Sequence, residues 1–181
     1  MGELVRHSGN YKELLSYQKA DAIFQLTYFF CHKYLAKGDR TIDQMVQAAR
    51  SGKQNIIEGC AASATSAATE IKLVNVAKAS LKELLEDFED YLKTHNMRQW
   101  ERGSAEYEAM RRLGRTHNDA EYFMQLAETR PDHTVANMTI ILINQADYLL
   151  FRQLERLETD FMRSGGFKER MYALRRKERG Y

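Results

Sequence analysis

Residues 39–60 read DRTIDQMVQAARSGKQNIIEGC. Ile42, Met45, Val46, Ala49, Ile56 and Cys60 recur at three- and four-residue steps, so the stretch predicts a helix over about 42–60. Thr41 and Gln44 have the spacing of a capping box at its start. Arg50, Ser51, Gly52, Lys53, Gln54 and Asn55 then interrupt the apolar pattern just before Ile56 and Ile57. With the stripe centred on Ile42, Ala49 and Cys60, the residues Ser51, Asn55 and Glu58 fall near the opposite side, and Arg50 lies on the flank. Lys53 falls inside the stripe. Its ammonium needs either an exit past the small neighbours Ala49 and Gly52 or a carboxylate partner. Gly52 costs roughly 1 kcal/mol against Ala inside a helix, a cost that a close helix–helix approach would explain. Arg50, Gly52, Lys53, Asn55 and Glu58 are therefore candidates for a subunit or helix contact, with direct nucleic-acid contact as the alternative.

The same periodicity extends on both sides. Leu14, Leu15, Ala22, Ile23, Leu26, Phe30 and Tyr34 predict a first helix over about 11–36, closed by Gly38 as C-cap. Tyr28, Phe29 and Phe30 widen its apolar face, so it is expected to pack on more than one side. Past the small-residue connection GCAASATS, Thr65 or Ser66 can cap a third helix over about 67–95, whose apolar face runs from Ile71 to Leu92. Residues 96–133 break the regularity and are expected to hold two shorter helices, about 98–113 and 119–129, the second capped by Asn118 or Asp119. A long helix follows over about 134–163. Its run Ile140–Ile143 cannot face one core only, so another subunit or the inserted helices should cover part of it. After Gly165-Gly166 a basic helix is expected at 167–179.

One proline, ten glycines and 44% hydrophobic residues in 181 suit long helices around a sizeable core. The expected fold is all-α: an antiparallel up-down-up-down four-helix bundle in one domain, 1–181, with a helical insertion between bundle helices 3 and 4 and a C-terminal basic helix. No apolar run approaches the ~20 residues of a membrane span, and the opening MGELVRHSGNYKELL has no signal-peptide core. With only Cys31 and Cys60, this points to reduced, buried thiols in a cytoplasmic protein.

The text QAARSGKQNIIEGCAASATSAATEIKLVNVAKASLKELLEDFEDYL, with Asn55-Ile56-Ile57-Glu58-Gly59 and the later Ser80, Leu81, Glu83 and Leu84, closely resembles the bacterial four helix bundle protein family. These are also called the 23S ribosomal RNA intervening-sequence proteins. The family is similar to the accessory variability determinant protein of diversity-generating retroelements. That likeness implies a homo-oligomer, a pentameric ring of bundles with a basic surface, that binds nucleic acid and a reverse transcriptase. The chain departs from the short family pattern by the insertion at 96–133 and by the tail GGFKERMYALRRKERGY.

Catalytic chemistry finds little footing. Glu83, Glu86, Asp87 and Asp90 cluster opposite Leu81, Leu84 and Phe88, toward solvent, and no Glu-x-x-His element occurs to complete a two-metal bundle site. His7, His32, His95, His117 and His133 lack metal-motif spacing. Cys31 and His32 are adjacent, so a helix points their side chains about 100° apart, away from the convergence a nucleophile–base pair needs. No phosphate-binding glycine loop or nucleophile elbow is present. The expectation is a non-enzyme with no catalytic residues, no metal and no cofactor.

Charge is uneven. From Arg163 to Tyr181 seven basic residues face Glu169 and Glu178, a local net charge of +5 against +2 for the whole chain. On a helix, Lys168, Tyr172, Arg175 and Arg179 share one face with Arg176 near by, while Phe167, Met171 and Leu174 share another. The apolar stripe would dock on the bundle and the basic stripe would contact phosphates, with Tyr172 placed to stack on a base. The alternatives are a solvated terminal helix or an attachment to the acidic face at 83–90. Two functions follow: a non-catalytic oligomeric bundle that contacts RNA, DNA or a nucleic-acid enzyme such as a reverse transcriptase, or a structural, protein-interaction adaptor with no nucleic-acid role.

Overall fold

The computed structural model describes residues 9–164 and 167–179, the side chains of 164 and 167–170 excepted. Among the described residues the fold is all-helical, with no strand. A single 3-10 turn, Tyr11–Glu13, precedes α1 (Leu15–Tyr34), α2 (Arg40–Ala62), α3 (Ala67–Thr94), α4 (Ala105–Thr116), α5 (Ala120–Glu128), α6 (Asp132–Ser164) and α7 (Phe167–Glu178). No helix is long and apolar enough to cross a membrane, among the described residues.

Four long helices contact one another in a cycle: α1 against α2, α2 against α3, α3 against α6, and α6 against α1. Ile23, Leu26, Phe30, Ile56, Leu81 and Leu142 are wholly buried in the core they share. Phe30 packs edge-on against both Phe88 and Tyr91 of α3, at 5.1 and 4.8 Å between ring centres. The inserted helices lie outside this cycle, α4 on α6 and α5 on α1. The expectation that α1 packs on more than one side holds, since it meets α2, α5 and α6.

Local chemistry sets the helix ends, and several differ from the sequence expectation. The first helix breaks after the 3-10 turn, and Leu35 caps α1. Gly38 is not the cap. It sits at φ +91° as third residue of a β-turn closed by Asp39 N–H on the Ala36 carbonyl at 3.0 Å. Asp39, not Thr41, opens α2, its carboxylate accepting the Thr41 N–H at 2.8 Å. Ser66 caps α3 and Asp119 caps α5, as expected.

The largest difference is at 98–113. Residues 98–104 are not helical, and α4 begins only at Ala105, capped by Ser104. Three local features cause this. Asn96 takes the left-handed conformation, φ 54°, while Met97 N–H bonds Leu92 O and Asn96 N–H bonds Lys93 O, which closes α3 in a Schellman motif. Gly103, φ +89°, forms a second β-turn with Ser104 N–H on Glu101 O. Between them, the buried Asn137 of α6 accepts the Trp100 N–H at 2.7 Å and donates to Arg98 O at 3.0 Å. A side chain from α6 thus takes the place of helical hydrogen bonds.

Val135–Ile143 are all buried. Ile140–Ile143 therefore need no second subunit to cover them: they are buried within one chain, in which α1, α3 and the inserted α4 all contact α6.

Candidate functional site

The interrupted stretch of α2 divides between two seams. Toward α3, a Cβ on Gly52 would fall 2.7 Å from Leu81 Cδ2, so only glycine fits the approach that exists. Ser51 and Ser80 hydroxyls meet at 2.9 Å along the same seam, and Asn55 Nδ2 donates to Ser51 O at 2.8 Å. Ser51 is therefore half-buried against α3, not on the side opposite the core, and Asn55 is half-buried beside it. The close approach pulls α3 over that flank. Toward α1, Lys53 Nζ reaches Asp21 Oδ1 at 3.1 Å, the two side chains 20% and 26% exposed. The ammonium also lies 4.2 Å from the centre of the Phe24 ring. The lysine inside the apolar stripe has its carboxylate. Arg50 and Glu58 are exposed and make no hydrogen bond or ion pair among the described residues. Gly52 and Lys53 are thus brought to helix contacts, Asn55 bonds only Ser51 of its own helix, and Arg50 and Glu58 make neither kind of contact among the described residues.

On α7, Tyr172 is 66% exposed, and Arg175 and Arg176 are exposed, as is Arg179 just past its end. Met171 and Leu174 are half-buried. Phe167 and Lys168 belong to α7, but their side chains lie outside the described residues. Met171 and Leu174 are thus less exposed than Tyr172, Arg175 and Arg176 on the same helix.

Three of the four grouped acidic residues face solvent as their spacing implied, and Asp87 does not fully do so. Glu83, Glu86 and Asp90 are exposed and Asp87 is half-buried. Burial, followed by repulsion from Asp90, Glu83 and Glu86, raises the Asp87 carboxyl above its ordinary value. Cys31 is buried 3.8 Å from Met45 Sδ, and burial, with Asp87 and Asp39 adding to it, pushes its thiol up to about 12. His32 points away and stacks on the exposed Tyr28 at 4.1 Å. A thiol so hard to ionise is a poor nucleophile. No group of three or more His, Cys, Asp or Glu is placed to hold a metal, among the described residues.

The sequence reading passed over Lys19. Its side chain is 1% exposed, on the core side of α1. Nζ donates to the Gly114 carbonyl and, at 3.0 Å, to the His117 carbonyl. Both carbonyls lie at the C-terminus of α4, where the helix leaves acceptors unpaired and its dipole favours a cation. The Phe123 ring of α5 lies 5.4 Å from the ammonium. Lys19 therefore fastens both inserted helices to α1. Burial lowers its pKa to about 8, because the charged form loses water and gains only neutral acceptors. The available signal was its place in the apolar stripe, four residues from both Leu15 and Ile23.

Lys19 also forms part of the floor of a cleft between α1, α4 and α6. Tyr107, Arg111, Gly114 and Arg115 line it from α4; Ile141, Gln145 and Tyr148 line it from α6. Gly114 lets the Gln145 amide approach the α4 backbone, and a Cβ there would displace that side chain. That amide donates to Arg111 O at 2.9 Å, which leaves its buried oxygen without a hydrogen-bond partner.

Compared with protein-family models, with curated proteins and with solved structures, the chain matches none.

Proposed function

We propose that the chain is a non-catalytic helical-bundle protein that assembles with copies of itself and contacts nucleic acid, or a nucleic-acid enzyme such as a reverse transcriptase. The observation that carries this reading is α7 and the residue after it: Arg175, Arg176 and Arg179 exposed with Tyr172, in the segment where the chain's positive charge is concentrated. Arginines supply phosphate contacts irrespective of base sequence, and an exposed tyrosine supplies a stacking face. The arrangement we infer for α1, α2, α3 and α6 is an antiparallel up-down-up-down four-helix bundle. It is supported by their cycle of contacts and by the short connections at 35–39 and 63–66. The resemblance of residues 40–92 to the four helix bundle protein family supports the same topology and suggests a pentamer. The glycine-lined α2–α3 seam lies within that stretch. In such a ring each copy would add one basic helix, and weak phosphate contacts would sum.

A solution mass measurement with simultaneous absorbance at 260 and 280 nm tests assembly and carried nucleic acid together. The proposal expects a mass above that of one 21.1 kDa chain. A monomer with no carried nucleic acid would count against both parts.

One observation favours a second reading, a protein-interaction adaptor. Phe24, Tyr28, Phe29 and Met124 line an apolar groove between α1 and α5, with Tyr28 51% exposed. Capture of a protein partner that survives nuclease treatment and requires Tyr28 would favour it.

A further inference from the structure

The cleft between α1, α4 and α6 encloses about 540 Å³, within the roughly 300–1,000 Å³ typical of small-molecule sites. Its apolar lining includes Leu15, Ile141 and Leu149, and two of its large side chains, Leu15 and Tyr148, are 50% and 62% exposed. Four polar side chains lining it, Arg102, Arg115, Asn118 and Asn144, make no hydrogen bond or ion pair among the described residues. The one carboxylate in the lining, Glu108, is already paired with Arg111 at 2.9 Å. Arg102, Arg115 and Lys19 are therefore three cations in one concavity with no anion opposite them. Lys19 is fixed in the floor by the α4 carbonyls, so its charge acts from below while the two arginines remain free to close on a ligand.

Unpaired guanidinium groups in a concave site suit a multiply charged oxyanion, because each offers a bidentate fork. A carboxylate would neutralise one cation; a phosphate dianion neutralises two. The exposed Tyr148 ring beside Leu149 offers a stacking face for a planar group, and the Asn118 and Asn144 amides can both donate and accept at its edge. We propose that this cleft binds a nucleoside monophosphate, with its phosphate held by Arg102 and Arg115 and its base on Tyr148. The same chemistry arrives either as a free nucleotide or as the 5′-phosphorylated end of a strand. This inference does not rest on α7: neutralising Arg175, Arg176 and Arg179 would abolish the proposed strand contact and leave the cleft unchanged.

Titration calorimetry on the full chain tests it, with AMP, GMP, CMP, UMP and inorganic phosphate as probes. At least one nucleotide should bind with a Kd of about 1 mM or tighter, and inorganic phosphate at least about tenfold more weakly. The Arg102→Ala/Arg115→Ala variant, altered at two exposed residues, should weaken the nucleotide at least about tenfold at an unchanged melting temperature. If that variant does not fold, Tyr148→Ala, at a largely exposed position, should weaken nucleotide about threefold or more and leave phosphate unchanged. No nucleotide binding, equal binding of phosphate, or undiminished binding in the folded variant would overturn the proposal. The two sources are separated by a tetranucleotide made with and without its 5′-phosphate. Competition with AMP by the phosphorylated form alone assigns the strand end, and no competition by either assigns the free nucleotide.

Discussion

Lys53 of α2 and Asp21 of α1 form an ion pair at 3.1 Å, both side chains about three-quarters buried, with the ammonium over the Phe24 ring. The pair lies beside the Gly52 contact, so two adjacent residues of α2 fix its distance to α3 and its register on α1. A double-mutant cycle over Asp21→Asn and Lys53→Met should give a coupling of about 1 kcal/mol in denaturant unfolding, more than the median for exposed pairs. It should shrink between low and high salt, though less than for a surface pair. A coupling indistinguishable from zero would mean that Lys53 contributes only through its stem.

Gly52 and Gly59 should respond to alanine in opposite directions. Either substitution recovers roughly 1 kcal/mol of helix propensity. At Gly52 the new Cβ meets the wholly buried Leu81 side chain at 2.7 and 2.8 Å, and overpacking of about 1–3 kcal/mol prevails. At Gly59 the nearest atoms stand at 3.5 and 3.6 Å, ordinary contact distance, so Gly59→Ala should stabilise. Chemical unfolding of the two variants checks the sign of each change.

Lys19 supplies a pH dependence. Its folded pKa is lowered to about 8 from an ordinary value of 10.5, so between those values the unfolded chain binds more protons than the folded one. Stability conferred at this position therefore rises as pH increases from about 8 to about 10.5. The wild-type protein should gain on the order of 2–3 kcal/mol relative to Lys19→Met across that window. The neutral amine still carries two N–H donors for the Gly114 and His117 carbonyls, so the contact survives deprotonation. An unchanged difference between wild type and variant would show that the α4 carbonyls fully offset the loss of water.

Asn137→Ala should cost about 2–3 kcal/mol, because the Trp100 N–H and the Arg98 carbonyl lose a buried partner together. Trp100 is the single tryptophan of the chain. Its emission should move to longer wavelength in the folded variant, whereas a change confined to stability would leave the spectrum in place.

What was legible in the sequence was periodicity. It placed α2, α3 and α6 within two or three residues of their observed ends, and it marked Lys53 as needing an exit or a carboxylate and Gly52 as a close approach. It could not name Asp21 or Leu81, because both belong to other helices and the pairing depends on how those helices dock. Residues 98–104 show the limit most clearly. Most of them favour a helix, and only Asn96, Gly103 and a side chain 37 residues beyond Trp100 prevent it. Lys19 carried the same signal as Lys53, a cation within an apolar stripe, but its partners are backbone carbonyls that no side-chain pattern reveals. The cleft above it combines the inserted α4 and its flanking loops with α1 and α6, so its residues are scattered between Leu15 and Leu149.

The proposed role of α7 is tested most directly by fluorescence anisotropy of a labelled single-stranded RNA, titrated with the full chain from about 50 mM to about 200 mM salt. Wild type should bind at the lower salt, with a logarithmic affinity that falls linearly against logarithmic salt. Arg175→Gln/Arg176→Gln/Arg179→Gln should reduce that slope by about 2, or about 0.7 for each phosphate that is no longer neutralised. No binding at about 50 mM salt, or the same slope in the triple variant, would contradict the account.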